Sequence, residues 1–309
     1  RLGVSRGNAH RARDDAEAAG RALLALVERA LAFDRTVLAS LRYLAPPGFS
    51  RAVFEGLEGL AAPAEDEPAP ERAPPPAGPA LDDWVPQLLD LDAALAPLKA
   101  GGALAGALGA FEERAEQLAM AQAVGEAFND GRFLVAEAGT GVGKSFAYLL
   151  PALQWALRNP GAGGRVVLST RTKTLQDQLF DVDIPRLRRA LGADWDAVLL
   201  KGRQNYLCLR RLDGLFHQGA SAQDQAALMP LVSWLGLTRT GDLDEAHGVW
   251  RRDLRRRVFD DPEYCVGRRC QFYEQCYSVN ARNAARGAQL VVVNHALLLA
   301  DLALDGAIL

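Results

Sequence analysis

No apolar run in the 309 residues approaches the roughly 18 needed to cross a bilayer, and the first residues carry no secretory-signal pattern. A membrane span and export are therefore not expected, and a cytoplasmic location is. Cysteine is scarce: there are four, three of them clustered, too few and too unevenly placed for a disulfide scaffold. In a chain with no export signal they point instead to a metal or cluster site. There is also no excess of positive charge, since the net charge is −3, so the chain as a whole is not a basic nucleic-acid binder. The charge is uneven, however. Between Lys201 and Arg286 stand 14 Lys and Arg against 10 Asp and Glu, a local +4 that leaves −7 for the rest. The length suffices for two domains with sizeable cores, and the composition is that of an ordinary globular protein. The sequence opens on Arg1 rather than Met and stops at Leu309 in an apolar stretch, so it reads as a piece of a longer protein.

The stretch that organises the rest is Glu137-Ala-Gly-Thr-Gly-Val-Gly-Lys-Ser145. Phe133-Leu-Val-Ala136 before it predicts a short buried strand, and Phe146 to Leu157 after it a helix with an apolar face. A strand, a glycine-rich turn and a helix opening on Gly-Lys-Ser are the parts of a P-loop. Its glycines let successive N–H groups face phosphates while the helix dipole favours negative charge. Ala138, Gly139, Thr140, Gly141, Val142 and Gly143 would form the cradle. Lys144 would reach the β- and γ-phosphates of ATP, and the Ser145 hydroxyl would ligate Mg²⁺. Ala138 stands where the strict pattern has Gly.

Residues 1–45 predict a loop followed by a helix, with apolar positions at Leu23, Leu24, Val27, Leu31, Val37 and Leu41. Asn8 to Ala18 resembles the last motif of the DnaQ-like 3′→5′ exonucleases, in which a His precedes an Asp by five positions at the start of a helix. His10 and Asp15 match that spacing. The resemblance implies that Asp15 ligates a metal and His10 helps deprotonate the attacking water, with the remaining carboxylates supplied from before Arg1. An aspartate favoured near a helix N-terminus accounts for Asp15 equally well. Residues 46–80 are rich in Pro, Ala and acid and predict a solvated linker.

From residue 81 helical patterns return. Phe111-Glu-Glu-Arg-Ala-Glu-Gln117 resembles the Q-motif of DinG and XPD-type helicases, which implies that the Gln117 amide reads the adenine edge. A surface glutamine on an amphipathic helix is the plain alternative. Arg165-Val-Val-Leu-Ser-Thr170 predicts a buried strand leading into Arg171-Thr-Lys-Thr-Leu-Gln-Asp-Gln-Leu179. That run resembles motif Ia of the same helicases, implying a grip on DNA phosphate, although helix capping would also explain Thr170 and Thr172. Ala197 to Leu200 and Leu290 to Val293 add two continuous apolar runs, and together these predict a parallel sheet covered on both faces.

Cys208, Cys265, Cys270 and Cys276 form the second anchor, spaced far apart and then by x₄ and x₅. Four thiolates satisfy tetrahedral Zn²⁺ or a [4Fe–4S] cluster; paired short knuckles would favour zinc, and the wider spacing here suits the larger cubane. The lead-in Lys201-Gly-Arg-Gln-Asn-Tyr-Leu-Cys208 resembles the iron–sulfur domain of the DinG group. Arginines from Arg203 to Arg269, interleaved with Tyr206, Trp250, Phe259, Tyr264, Phe272 and Tyr273, would hold single-stranded DNA by phosphate contact and stacking, or simply form a solvated face. Asp244-Glu-Ala-His247 spells a helicase DEAH box, but no apolar run precedes it, so it is set aside. The true box is expected just beyond Leu309.

The chain thus resembles a DinG-type, XPD-like superfamily 2 helicase, joined to an exonuclease remnant. The resemblance implies an α/β fold: a RecA-like parallel-sheet motor with an inserted helical iron–sulfur domain. The expected boundaries are 1–45 for the exonuclease remnant, 46–80 for the linker, 81–200 with 287–309 for the motor, and 201–286 for the insertion. It further implies ATP-driven 5′→3′ movement on single-stranded DNA, duplex junctions as substrates, and a monomer. The rival readings are a zinc-bearing DNA-binding protein without unwinding activity and a P-loop enzyme acting on small molecules.

Overall fold

The structure is a computed structural model that describes residues 12–61, 84–108, 112–161, 163–192, 195–217, 221–246 and 252–304. His10, Trp250 and Arg251 lie outside the described residues, as does the Asp15 side chain. The chain divides into two compact units. One comprises Arg1–Glu71 with Arg203–Ser278, the other Arg72–Gly202 with Val279–Leu309. Among the described residues no helix is long and apolar enough to cross a membrane.

Among the described residues the first element is helix α1 (Ala12–Ala30), whose Leu23, Leu24 and Leu26 are exposed. The helical pattern read through Leu41 is broken at Asp34, which accepts a hydrogen bond from Val37 N at 2.8 Å and so caps a separate helix, α2 (Arg35–Leu44). A short carboxylate side chain satisfies one of the donors a new helix leaves orphaned, which is why the break falls there. Helix α3 (Phe49–Leu60) packs on α2, joined by an Arg42–Glu58 ion pair at 3.0 Å.

In the other unit, α4 (Leu91–Leu95), α5 (Ala103–Leu108) and α6 (Ala115–Asp130) lead to α7 (Lys144–Arg158). Asn129 and Asn159 each clamp the backbone of the coil before α4. Their amides bond both N–H and C=O of Leu89 and of Gln87, at 2.7 and 3.0 Å in each case. Gly125 lets α6 approach Leu91 closely, since a β-carbon there would come within 2.6 Å of Leu91 Cδ2 and displace the end of that side chain. Strand β1 (Val166–Thr170) is followed by α8 (Lys173–Asp177), a π-helical turn at Gln178–Asp183, α9 (Ile184–Leu191) and β2 (Ala197–Leu199).

Helices α10 (Leu209–His217), α11 (Ala222–Leu235) and α12 (Arg252–Val258) belong to the first unit. Their Leu212, Leu215, Leu228, Leu231, Val232, Leu254 and Val258 share one core with Val37, Leu41 and Leu44 of α2. Helix α13 (Tyr277–Gly287) then leads to β3 (Leu290–Asn294) and α14 (His295–Leu302).

The three strands form a parallel sheet in the order β1-β3-β2, with Val166 and Ala197 both in register with Leu290. The continuous apolar run of β3 explains its central place. Leu290 and Val292 face a core with Leu149, Leu150 and Leu153 of α7, while Val291 and Val293 face a second core with Leu200, Ala285 and Leu297. Both faces are covered, which a run without polar alternation requires.

Two expectations fail. Within 46–80, read as a solvated linker, residues 49–60 form α3 and bury Leu57, because the Pro-rich acidic composition begins only after them. Phe133-Leu-Val-Ala136 forms no strand; residues 132–139 are coil, and Phe133 and Val135 are fully exposed. An apolar run becomes a strand only when a neighbour takes its N–H and C=O groups, and among the described residues none is paired with it.

Candidate functional site

The loop before α7 is built by backbone geometry rather than by side chains. Gly141 and Gly143 have φ of +83° and +86°, a region where residues with a β-carbon are strained, and Gly143 caps α7 with no side-chain bond. The N-terminal N–H groups of a 15-residue helix therefore meet the loop without a capping side chain. Gln117 is buried beneath it and donates from Nε2 to Gly143 O at 2.8 Å. A β-carbon at position 143 would lie 2.2 Å from that nitrogen, a second reason for glycine. Arg114, from the same Glu-x-Arg-x-x-Gln run, donates to Gly141 O. The Gln117 donor thus serves the loop's own backbone.

Lys144 turns back over the loop, its Nζ donating to Ala138 O at 3.0 Å and Gly139 O at 2.6 Å. Those bonds hold an ammonium over the cradle formed by Ala138 to Gly143. Ser145 shares a cavity wall with Tyr148, one turn further along α7, and with Asp183 at the end of the π-helical turn. Burial pushes the Asp183 carboxyl up, with Ser145 and Arg186 opposing, and burial likewise raises the Tyr148 phenol. A cavity of about 320 Å³ opens here, lined among others by Ser145, Thr170, Arg171, Asp183 and His295. Ser169 Oγ and His295 Nδ1 lie 2.7 Å apart and link the carboxyl ends of β1 and β3. The outer end of parallel strands, beside a helix N-terminus, is where open α/β sheets take ligands.

The threonines of the following loop have structural work as well. Thr172 caps α8 by accepting from Leu175 N at 3.2 Å, and Thr170 donates to Thr172 O. Arg171 is exposed beside them. Asn294 caps α14 through Leu297 N at 2.7 Å. Asp244 lies in a turn, not at a strand end, and its carboxylate is ion-paired with Arg255 at 2.8 Å, consistent with setting that DEAH sequence aside.

In the other unit all four cysteines are free thiols. Burial is the main cause raising the Cys208 thiol, with backbone N–H groups of Arg211 and Arg210 opposing and Asp260 and Cys276 adding. Arg203 hydrogen-bonds both carboxylate oxygens of Asp260, and Cys276 Sγ lies 3.5 Å from Ser278 Oγ. Cys270 borders a cavity of about 630 Å³ with Arg210, Arg211, Arg257, Arg269 and Tyr264. Among the described residues no three His, Cys, Asp or Glu side chains are gathered so as to hold a metal ion, so the structure does not bring the four cysteines together as a metal site.

Several arginines of this unit serve its own architecture. Arg210 donates to Tyr264 O at 2.8 Å, and Arg211 to Phe259 O and Arg256 O, with its guanidinium 4.9 and 5.1 Å from the Phe259 and Tyr264 ring centroids. Arg257 pairs with Asp224 at 3.1 Å. Arg268 and Arg269 stand on an exposed turn. Asp183, His295, Asp260 and Ser278 were not singled out by sequence. Arg114 carried a signal, its place in the aromatic-Glu-x-Arg-x-x-Gln run.

Residues 118–214 match the DEAD/DEAH box helicase family. The chain is 44% identical over 196 residues to the ATP-dependent DNA helicase YoaA of Haemophilus influenzae, covering 62% of this chain and 30% of that protein. It is 39% identical over 228 residues to the ATP-dependent helicase DinG of Mycobacterium tuberculosis, covering 66% and 33%. A protein named 3′-5′ exonuclease DinG, from Bacillus subtilis, is 32% identical over 199 residues, covering 62% and 20%. The chain spans at most about a third of the length of these curated relatives. Over these stretches the chain is similar to proteins named as ATP-dependent helicases.

Proposed function

We propose, from this kinship with DinG-type ATP-dependent DNA helicases, that the chain is part of an ATP-hydrolysing motor that moves 5′→3′ along single-stranded DNA and opens duplex junctions. The observation that supports it most is the shared cavity in which Ser145 of the phosphate loop meets Thr170 and Arg171 at the strand ends. Nucleotide and DNA contacts set side by side are what a motor must couple.

In this reading Lys144 leaves the carbonyls of Ala138 and Gly139 for the β- and γ-phosphates, and the N–H groups of Gly139 to Gly143 take the remaining phosphate oxygens. The Ser145 hydroxyl would ligate Mg²⁺, which supplies charge neutralisation on the triphosphate. Gln117 Nε2 holds Gly143 O, and its amide would have to release that bond to read the adenine edge. Cys208, Cys265, Cys270 and Cys276 would hold a [4Fe–4S] cluster, making their unit the element that meets the duplex junction. His10 and Asp15 would contribute the final motif of a fused 3′→5′ exonuclease. The protein would act as a cytoplasmic monomer.

Full-length protein carrying this chain is expected to unwind a duplex bearing a 5′ single-stranded tail in the presence of ATP, and to leave the same duplex with a 3′ tail intact. Preference for the 3′ tail would contradict the direction of movement.

A further inference from the structure

Ser169 and His295 meet in the cavity beside the phosphate loop, and the function described so far gives the pair no part. Ser169 Oγ and His295 Nδ1 lie 2.7 Å apart across 126 positions of sequence. Both line the cavity that Ser145, Thr170 and Arg171 share.

The two partners are unequally placed. Ser169 is half-buried in β1, its backbone set by the parallel ladder in which it stands opposite Val293. His295 opens α14 and is exposed. Its backbone is held too, because Asn294 caps the helix and Val293 and Leu297 are buried on either side. An exposed ring on a fixed backbone keeps its freedom in the side-chain torsions, and the bond to Ser169 restricts that freedom. A hydroxyl can donate to Nδ1 or accept from it, so Ser169 suits either neutral tautomer. When Ser169 donates, the proton of the ring sits on Nε2, and that N–H is left for a ligand.

The surroundings show what such a donor would meet. Arg171 is exposed directly after Thr170, whereas Asp183, the carboxyl of the lining, is only 5% exposed. A ligand entering the cavity therefore meets a cation and hydroxyl groups more readily than a carboxylate, which suits an anionic oxygen.

We propose that His295 donates from Nε2 to a phosphate oxygen, and that Ser169 is the positioning residue that aims the ring. The inference rests on the motor reading of this site and adds to it a phosphate contact. The oxygen belongs to the end of the nucleotide's triphosphate, on the side of Ser145, or to the DNA backbone, on the side of Thr170 and Arg171.

Side-chain amides separate a contact from a mere tether. The Asn amide reaches about as far as Nδ1 and can keep the bond to Ser169, whereas the longer Gln amide reaches about as far as Nε2. Neither exchange touches the buried Val293 and Leu297. Full-length protein carrying this chain is titrated with ATP in the absence of DNA, and with single-stranded DNA in the absence of ATP. His295→Ala is expected to weaken one of the two about 10-fold, and the one it weakens identifies the source of the phosphate. His295→Gln is expected to recover most of that loss and His295→Asn little of it. Ser169→Ala is expected to cost less, and to add nothing to His295→Ala, because the ring it aims is then gone. Unaltered affinity for both ligands in His295→Ala overturns the proposal, as does His295→Asn binding as tightly as His295→Gln. An unaltered protein that binds neither ATP nor DNA instead fails the motor reading on which the proposal rests.

Discussion

Replacing Lys144 with alanine is expected to abolish ATP turnover in the full-length protein while DNA binding persists. The ammonium folds over the glycine-rich loop, bonded to Ala138 O and Gly139 O. Phosphoryl transfer depends almost entirely on positioning and charge stabilisation, so losing that cation removes transition-state stabilisation directly. Loss of a single well-placed donor to developing charge costs about 10²- to 10³-fold in turnover, and a full charge on the transferred group should cost no less. Folding should survive. Lys144 lies outside the buried core, and α7 is held by Phe146, Leu149, Leu150 and Leu153, none of which the substitution touches. Steady-state hydrolysis together with DNA-binding titration checks the split, and unchanged turnover would refute the role of Lys144.

Cys270→Ser carries the second large effect. A serine hydroxyl does not ionise near neutral pH as a thiol does, and the thiolate is the form that ligates metal. The variant is expected to lose most of its iron and its brown colour and to fail in unwinding. Cys270 is only partly buried, beside the arginine-lined cavity, so the exchange of sulfur for oxygen should leave the core around Leu207, Leu212 and Leu228 intact. Nucleotide binding at Lys144 and Ser145, which belong to the other compact unit, should continue. Iron content and absorbance measured beside ATP binding check both halves. A Cys270→Ser protein with full iron content would remove this cysteine from the ligand set.

Local patterns were the part of this molecule that sequence could convey. The apolar run at Leu290 to Val293 predicted a strand buried on both faces, and β3 is that strand, central between β1 and β2. The glycines of the phosphate loop predicted a turn no other residue fits, and Gly143 answers to both its φ and the nearness of Gln117. What failed depends on distant partners. Phe133 to Ala136 has the composition of a strand, yet composition does not provide the neighbour whose backbone would pair with it. The two aspartates of Asp181-Val-Asp183 look alike in sequence, and only the π-helical turn brings Asp183 to Ser145. Asp260 lacked any signal, since its meaning comes from Arg203, 57 residues earlier, and from Ser278. The N-terminal helices show the same limit. The period of Val37 and Leu41 announced an apolar face, but not that the core of α10, α11 and α12 would cover it.

In the proposed function the phosphate loop and the cysteine unit serve one ATP-driven motor that DNA stimulates. The most direct measurement is the ATP hydrolysis rate of anaerobically prepared full-length protein, with its iron content determined on the same sample, as single-stranded DNA is added. The account predicts a brown protein whose slow hydrolysis rises steeply and saturates with DNA. An iron-free protein, or one whose hydrolysis is indifferent to DNA, would contradict it.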